Sequence, residues 1–351
     1  MRIRFITSTP MNATQGSGTF AGIATLAAAL RRLSVEVEMI VPAFRCPIYT
    51  LRRLWFNEQL RRMDWNECDL IVGFDMDGYT VAGRPGRAHV AAIKGVIADE
   101  MRFERGFTRL TMWLQALCEG RHVRRASMVM ATSRYAARRL KELYGVPGSI
   151  CVVPELIDLA GWKELFRRNP GEPEPGSFTV LTVCRFYPRK RLPVLLHASG
   201  ILRERIPGLR VRIVGGGPEK SLLERLRRKL GLESVVSFLG DLPQQSLAKE
   251  YNACHLFCLP SVQEGFGIVF LEAMAADKPI VATRAAAIPE VIPQGELVEP
   301  DDAASLAEAI ERLYRDPERR AALVTAGRDR VTCFDAPVVA KQFLGEVRRL
   351  L

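Results

Sequence analysis

The chain has 351 residues, 48% of them hydrophobic, and a formal net charge of +11 at pH 7. That length suits two domains of ordinary size, and the apolar share excludes a chain too polar to form a core. The positive excess lies in the first 150 residues; such an excess draws phosphorylated ligands or anionic lipid surfaces, and the competing reading is a solvated basic face with no partner.

The opening MRIRFITSTP lacks the apolar core and cleavage site of a signal peptide and is expected to be the first strand of a cytoplasmic protein. No apolar run reaches the roughly 18 residues that span a bilayer. Strand-type runs then alternate with helical patterns: RIRFITS (2–8), EVEMIVP (36–42), DLIVGFD (69–75), VAAIKGV (90–96), MVMATS (128–133) and ICVVPE (150–155). NPGEPEPGSF (169–178) continues neither a helix nor a central strand, so a domain boundary is expected there. After it come FTVLTVC, LRVRIVG, VVSFLG, HLFCLPS, PIVAT and GELVEP. The expectation is two Rossmann-like α/β domains with parallel sheets, at 1–168 and 179–330, joined by a linker at 169–178 and followed by a C-terminal helix in 331–351.

In such sheets ligands bind outside the carboxyl ends of the strands. Gly16-Ser17-Gly18-Thr19 follows the first strand and leads into an apolar helix, as an anion-binding helix start does, although a tight turn without ligand has the same composition. Arg185 follows the first strand of the second domain and Lys190 stands at the next helix. Cations at a helix start oppose its dipole, and a planar fork with a compact charge suits a diphosphate. VGGGPE (214–219) supplies Gly216 and Gly217 at the next strand end. EGFGIVFLE, Glu264 to Glu272, follows the strand in HLFCLPS. Alone it reads as a loop acid and an acid in the first turn of a helix; beside the other loops it reads as a ligand grip.

Eight cysteines are scattered without a CxxC pair. Cys254-His255-Cys258 reads as helix end and buried strand rather than a metal site. Asp75-Met76-Asp77 has the Asp-x-Asp form of a divalent-metal loop, but two carboxylates do not define a site, and a polar acceptor-facing loop is the preferred reading. LRRLWFNEQLRRMDW (51–65) interleaves Arg with apolar residues; it suits an anionic membrane surface or a helix packed on its sheet with solvated arginines. No recognition helix or aromatic-studded sheet motif supports nucleic-acid binding.

With Gly16-Ser17-Gly18, Arg185, Lys190, VGGGP and PSVQEGFGIVFLEAMAADKPIVAT (260–283) together, the sequence resembles the retaining, nucleotide-sugar-dependent glycosyltransferases of family 4, also called glycosyl transferases group 1. SRYAARRLKELYGV and VVPELID (133–158) extend the resemblance toward the full chain. It implies the GT-B fold, two facing Rossmann-like domains with a cleft between them. It implies transfer of a hexose-type sugar from a UDP or GDP donor to a hydroxyl acceptor, with no metal or other cofactor. Arg185 and Lys190 would neutralise the diphosphate with help from Gly16 and Gly18; Glu264 and the backbone of Gly265, Phe266 and Gly267 would hold the sugar; and Glu272 would hold the ribose. Leu239, Gly240, Gly216 and Gly217 would line the base. Asp75, Asp77, Asp99 and Glu100 would stand on the acceptor side. The resemblance leaves two alternatives, a nucleotide-sugar epimerase and a non-catalytic binder. The chain departs from the family in having Leu156 where a glycine is usual and no histidine after the strand in AAIKGVIADE, since His89 is expected to precede that strand.

Overall fold

A computed structural model describes residues 1–10, 18–44 and 46–351. Gly16 and Ser17 lie outside the described residues. The chain forms two compact units, Met1–Leu156 with Ala336–Leu351, and Ile157–Asp335.

The first unit runs β1 (Arg2–Ile6), α1 (Gly18–Arg32), β2 (Glu36–Ile40), α2 (Tyr49–Leu60), β3 (Leu70–Phe74), β4 (Ala88–Ile93), α3 (Ile97–Glu100), α4 (Gly106–Arg125), β5 (Met128–Ala131), α5 (Arg134–Tyr144) and β6 (Cys151–Val152). Its strands are all parallel, in the order β2-β1-β3-β4-β5-β6. Alternate strand residues feed opposite faces. Phe5, Val72, Val90 and Met130 join one core with Ile23 and Leu30 of α1, while Ala91, Ile93, Val129 and Ala131 join another with α4 and α5. Local signals set the helix ends: Ser133 caps α5 by accepting from the Ala136 amide at 3.0 Å, and Gly145, at φ +61°, stops it.

The second unit runs α6 (Leu159–Arg168), β7 (Phe178–Val183), α7 (Leu192–Leu202), β8 (Leu209–Val214), α8 (Lys220–Lys229), β9 (Val236–Gly240), α9 (Gln244–Ala253), β10 (Leu256–Leu259), α10 (Ile268–Ala275), β11 (Ile280–Thr283), α11 (Ile288–Val291), β12 (Glu296–Val298), α12 (Ala303–Arg315) and α13 (Pro317–Thr332). These strands too are all parallel, ordered β12-β11-β10-β7-β8-β9 around one core. α14 (Ala336–Arg348) belongs to the first unit and packs on α1, with Phe343 edge-on to Phe5 at 6.3 Å.

Several expectations change. The first change of unit falls at Leu156 and Ile157, not in 169–178; that stretch is the connection from α6 to β7 within the second unit, because α6 packs Phe166 and Trp162 around Tyr251 of α9. His89 is the second residue of β4 rather than ahead of it. Its Nε2 lies 2.8 Å from that of His122, burial lowers the pKa of both rings, and the His122 pKa is lowered to about 4. Cys254 and Cys258 are buried free thiols and His255 stacks on Phe178 at 5.0 Å. Among the described residues no group of three His, Cys, Asp or Glu stands in metal-binding arrangement.

The stretch 51–65 is largely α2, and its arginines are not one solvated set. Arg53 is buried, donating to Gln115 Oε1 of α4 at 3.0 Å and to Asp77 Oδ2 at 3.2 Å. Removing Asp77 would strand that guanidinium in the interior. Asp77→Ala is therefore expected to destabilise the first unit by about 3–5 kcal/mol, read as a drop in the urea midpoint. Arg62→Glu, on the exposed end of the same stretch, should stay within about 0.5 kcal/mol of wild type.

Candidate functional site

The second sheet winds outward from β7 and β10: β8 and β9 lie on one side, β11 and β12 on the other. The carboxyl ends of β7 and β10 therefore flank a topological switch point, where the connecting segments diverge and leave a crevice.

The segment after β7 is anchored by Phe186, fully buried, and makes a single 3-10 turn at Pro188–Lys190. Lys190 closes that turn ahead of α7 instead of opening the helix. The segment after β10 ends at Gly267, whose φ of +91° places it in the left-handed region at the start of α10. A β-carbon there would meet the Phe270 ring at 2.6 Å, so glycine is required both by φ and by space. The Val262 amide donates to the Arg189 carbonyl at 2.9 Å and ties the two segments together.

This brings Lys190 Nζ within 2.5 Å of Glu264 Oε1, both side chains largely buried. Arg185 Nη1 lies 3.1 Å from Asp241 Oδ1, just past the end of β9, and these side chains are 35% and 41% exposed. The VGGGP turn stands beside that pair: a β-carbon on Gly216 would lie 3.9 Å from Arg185 Nη1. Gly215, at φ +116°, and Gly217 press on the backbone of the β7 segment, where a β-carbon on Gly215 would come 2.0 Å from the Cys184 carbonyl oxygen. Leu239 and Gly240 end β9. Phe266 is buried edge-on to Phe334 at 5.3 Å, which leaves its backbone, not its ring, to face a ligand.

Glu272 is the fifth residue of α10, beyond its first turn, which holds no acid. The helix-start explanation for this carboxylate therefore fails. Its Oε2 accepts from the Tyr251 hydroxyl at 2.9 Å, and burial pushes its pKa up to about 7.

The first unit's candidates have other partners. Both Asp77 oxygens are occupied: Oδ2 accepts from the Ser8 amide and hydroxyl, each at 2.7 Å, and Oδ1 from Asn57 at 3.0 Å. Asp99 is buried, bound by Tyr135 at 2.6 Å, Arg139 at 2.9 Å and Arg102 at 3.0 Å. Asp75, at φ +54°, accepts from the Lys94 amide at 2.8 Å, and burial raises its pKa to about 6. Glu100 ends α3 beside Gly95. Lys94 forms a buried ion pair with Glu155 at 2.9 Å, over which Gly22 of α1 passes with no room for a β-carbon. Gly18 begins α1.

Sequence reasoning missed Asp241, Tyr251 and Glu155. Asp241 directly follows the run VVSFLG and Glu155 ends the run ICVVPE, so the strand-end rule that selected Arg185 could have selected them. Tyr251 sits mid-helix and carried no comparable signal.

The Glu272 shift has a definite sign. Its folded pKa of about 7 lies above the ordinary 4.5, so its contribution to stability is complete below pH 4.5 and is lost as pH rises toward 7. The loss reaches about 1.4 kcal/mol per pH unit. Glu272→Gln should remove this component, so the variant's denaturation midpoint, relative to wild type, should rise across that window.

Residues 163–330 match the family described as glycosyl transferases group 1. A GDP-mannose-dependent α-(1-6)-phosphatidylinositol monomannoside mannosyltransferase from Mycolicibacterium smegmatis is 29% identical over 69% of this chain and 66% of its own length. A D-inositol 3-phosphate glycosyltransferase from Thermomonospora curvata is 33% identical over 56% of this chain and 50% of its own. The matches thus span from half to just under two thirds of these relatives. Among solved structures, a sucrose-phosphate synthase from Thermosynechococcus elongatus superposes with a TM-score of 0.79 and 22% identity, covering 99% of this chain and 98% of that one. Residues 163–330 are thus similar to the glycosyl transferases group 1 family, and the two all-parallel six-stranded sheets with this likeness give the fold class as GT-B.

Proposed function

We propose that the chain is a retaining hexosyltransferase, moving a sugar from a UDP- or GDP-sugar to a hydroxyl of a glycan, a lipid-linked acceptor or a small molecule without a metal. The observation that carries this reading is the set of charges at the β7–β10 switch point: Arg185 and the Lys190–Glu264 pair, with Glu272 on the helix that follows. Arg185 and Lys190 bind the donor diphosphate, Glu264 with the backbone of Gly265 to Gly267 accepts from sugar hydroxyls, and Glu272 accepts from the ribose. The GDP-mannose dependence of the mycobacterial relative supports a nucleotide donor of this kind. Eight free cysteines support a reducing, cytoplasmic setting.

Breaking the bond between the sugar C1 and the β-phosphate oxygen leaves charge on that phosphate. Cations already in place stabilise it as it forms, which is the electrostatic contribution that most lowers such barriers. The acceptor oxygen bonds to C1 on the face the phosphate leaves, and the acceptor proton passes to the departing phosphate oxygen. No dedicated base is required. This differs from glycoside hydrolysis, where two carboxylates flank one bond.

The test is product analysis with a labelled donor screened from UDP- and GDP-hexoses. The expected product keeps the anomeric configuration of the donor, and chelator leaves the rate unchanged. Lys190→Ala should lower kcat about 10²–10³-fold, while Glu272→Ala should mainly weaken donor binding. An inverted anomer, an epimerised donor, chelator-sensitive turnover, or two variants with normal activity would each overturn the assignment.

A further inference from the structure

Helix α4 has one face buried in the fold and an opposite face that is apolar yet exposed. Ala116, Glu119, His122 and Val123 point into the first unit and are buried. The opposite face carries Phe107, Leu110, Trp113, Leu114 and Leu117, exposed by 72%, 54%, 46%, 39% and 53%. Steps of three and four residues from 107 to 110, 114 and 117 keep these side chains in one stripe, about 15 Å long at 1.5 Å per residue. Isolated exposed apolar residues need no explanation; a stripe of five large ones does.

Charge says what covers it. Arg109 flanks the stripe, Arg105 precedes it, and Arg121, Arg124 and Arg125 extend it at the carboxyl end, all exposed. The helix's one acid, Glu119, is buried on the far face, where it accepts from the Ile97 amide and the Tyr144 hydroxyl. The exposed face is thus apolar in the middle, basic around it, and holds no acidic residue of the helix. A second copy would press this basic patch against itself, and like charges oppose that pairing. An anionic lipid surface satisfies both features: arginines meet the headgroups while Leu, Phe and Trp enter the headgroup–acyl boundary. No described helix is long and apolar enough to cross a membrane, so the geometry is that of a helix lying in the plane.

We propose that α4 docks the protein on anionic lipid bilayers, with Phe107, Leu110, Trp113, Leu114 and Leu117 inserted and the flanking arginines on the headgroups. This places the contact on α4 rather than on the Arg-rich stretch 51–65, whose Arg53 is held inside by Asp77.

Co-sedimentation of the full chain with vesicles tests this, comparing phosphatidylcholine alone with a phosphatidylcholine–phosphatidylglycerol mixture. Wild type should bind the mixture, bind phosphatidylcholine far more weakly, and release with added salt. Leu110→Ser/Leu114→Ser/Leu117→Ser should abolish binding, each leucine accounting for about tenfold or more. Arg109→Gln and Arg121→Gln should each weaken it roughly fivefold and flatten the salt dependence. Leu222→Ser, an equally solvent-facing leucine on α8 (43% exposed), should bind as wild type does. Unchanged circular dichroism and urea midpoints verify that the variants are folded. Three results would overturn the proposal: vesicle binding that survives the triple substitution, equal binding to both vesicle types, or α4-dependent self-association in sedimentation velocity with no vesicle binding.

Discussion

The direction of winding of the second sheet is the constraint on which the candidate site depends. Parallel strands require crossover connections, and a sheet built outward in both directions from one strand pair must send those connections to opposite sides. β7 and β10 are that pair. The segments leaving them are short and irregular, and they carry Arg185 and Lys190 on one side and Glu264 on the other. Phe186 and Phe266 are buried within a few residues of these groups and fix where the backbone runs. The charges are thus placed by apolar anchors in the same loops, which is how a loop acquires the precision of an element.

The first unit shows the same geometry used for a different end. At its β1–β3 switch point the polar groups converge on Asp77, which joins Ser8 after β1 to Asn57 and Arg53 on α2, and Arg53 in turn holds Gln115 on α4. A buried carboxylate with this many donors is costly to disrupt and leaves little capacity for a ligand. Asp99 is held in the same way by Tyr135 and Arg139. The polar groups at the ends of β4 and β6 close on each other as well, through Lys94 and Glu155. The acids of this unit that looked acceptor-facing in the sequence are, at Asp77 and Asp99, fastenings between helices and strand ends.

Much of the architecture was legible because the strands write themselves as short β-rich runs between helical patterns, apolar throughout in β3, β5 and β10 and interleaved with charges in β1, β2 and β8. All twelve such runs contain a strand, and the EGFGIVFLE segment indeed crosses from a strand end into a helix. What the runs could not reveal was which polar groups meet. Asp75 and Asp77 are two residues apart, yet one lies at a positive φ beside the Lys94 amide and the other deep among Ser8, Asn57 and Arg53. Local sequence does not encode that difference; it follows from partners 19 to 69 positions away. The unit boundary was misplaced for a related reason. Proline and glycine in 169–178 mark an exposed turn, but Phe166 and Trp162 ahead of it were already committed to the core around Tyr251.

The two cations at the β7–β10 switch point are held very differently, and on the proposed reading that difference orders their roles. Arg185 and Asp241 are each more than a third exposed, so their mutual attraction is worth at most about 1 kcal/mol and a diphosphate can displace the carboxylate easily. Lys190 and Glu264 are largely buried, and separating them would leave a charge uncompensated at a cost of several kcal/mol. A ligand that needed Lys190 alone would meet that cost in full. A sugar diphosphate avoids it by bringing an anion to Lys190 and hydroxyl donors to Glu264 together, so that neither group is left without a partner. A free phosphate or a neutral sugar supplies only one half. The buried pair therefore favours a ligand carrying both parts, and selectivity for an intact nucleotide sugar follows from the same two residues that act on it.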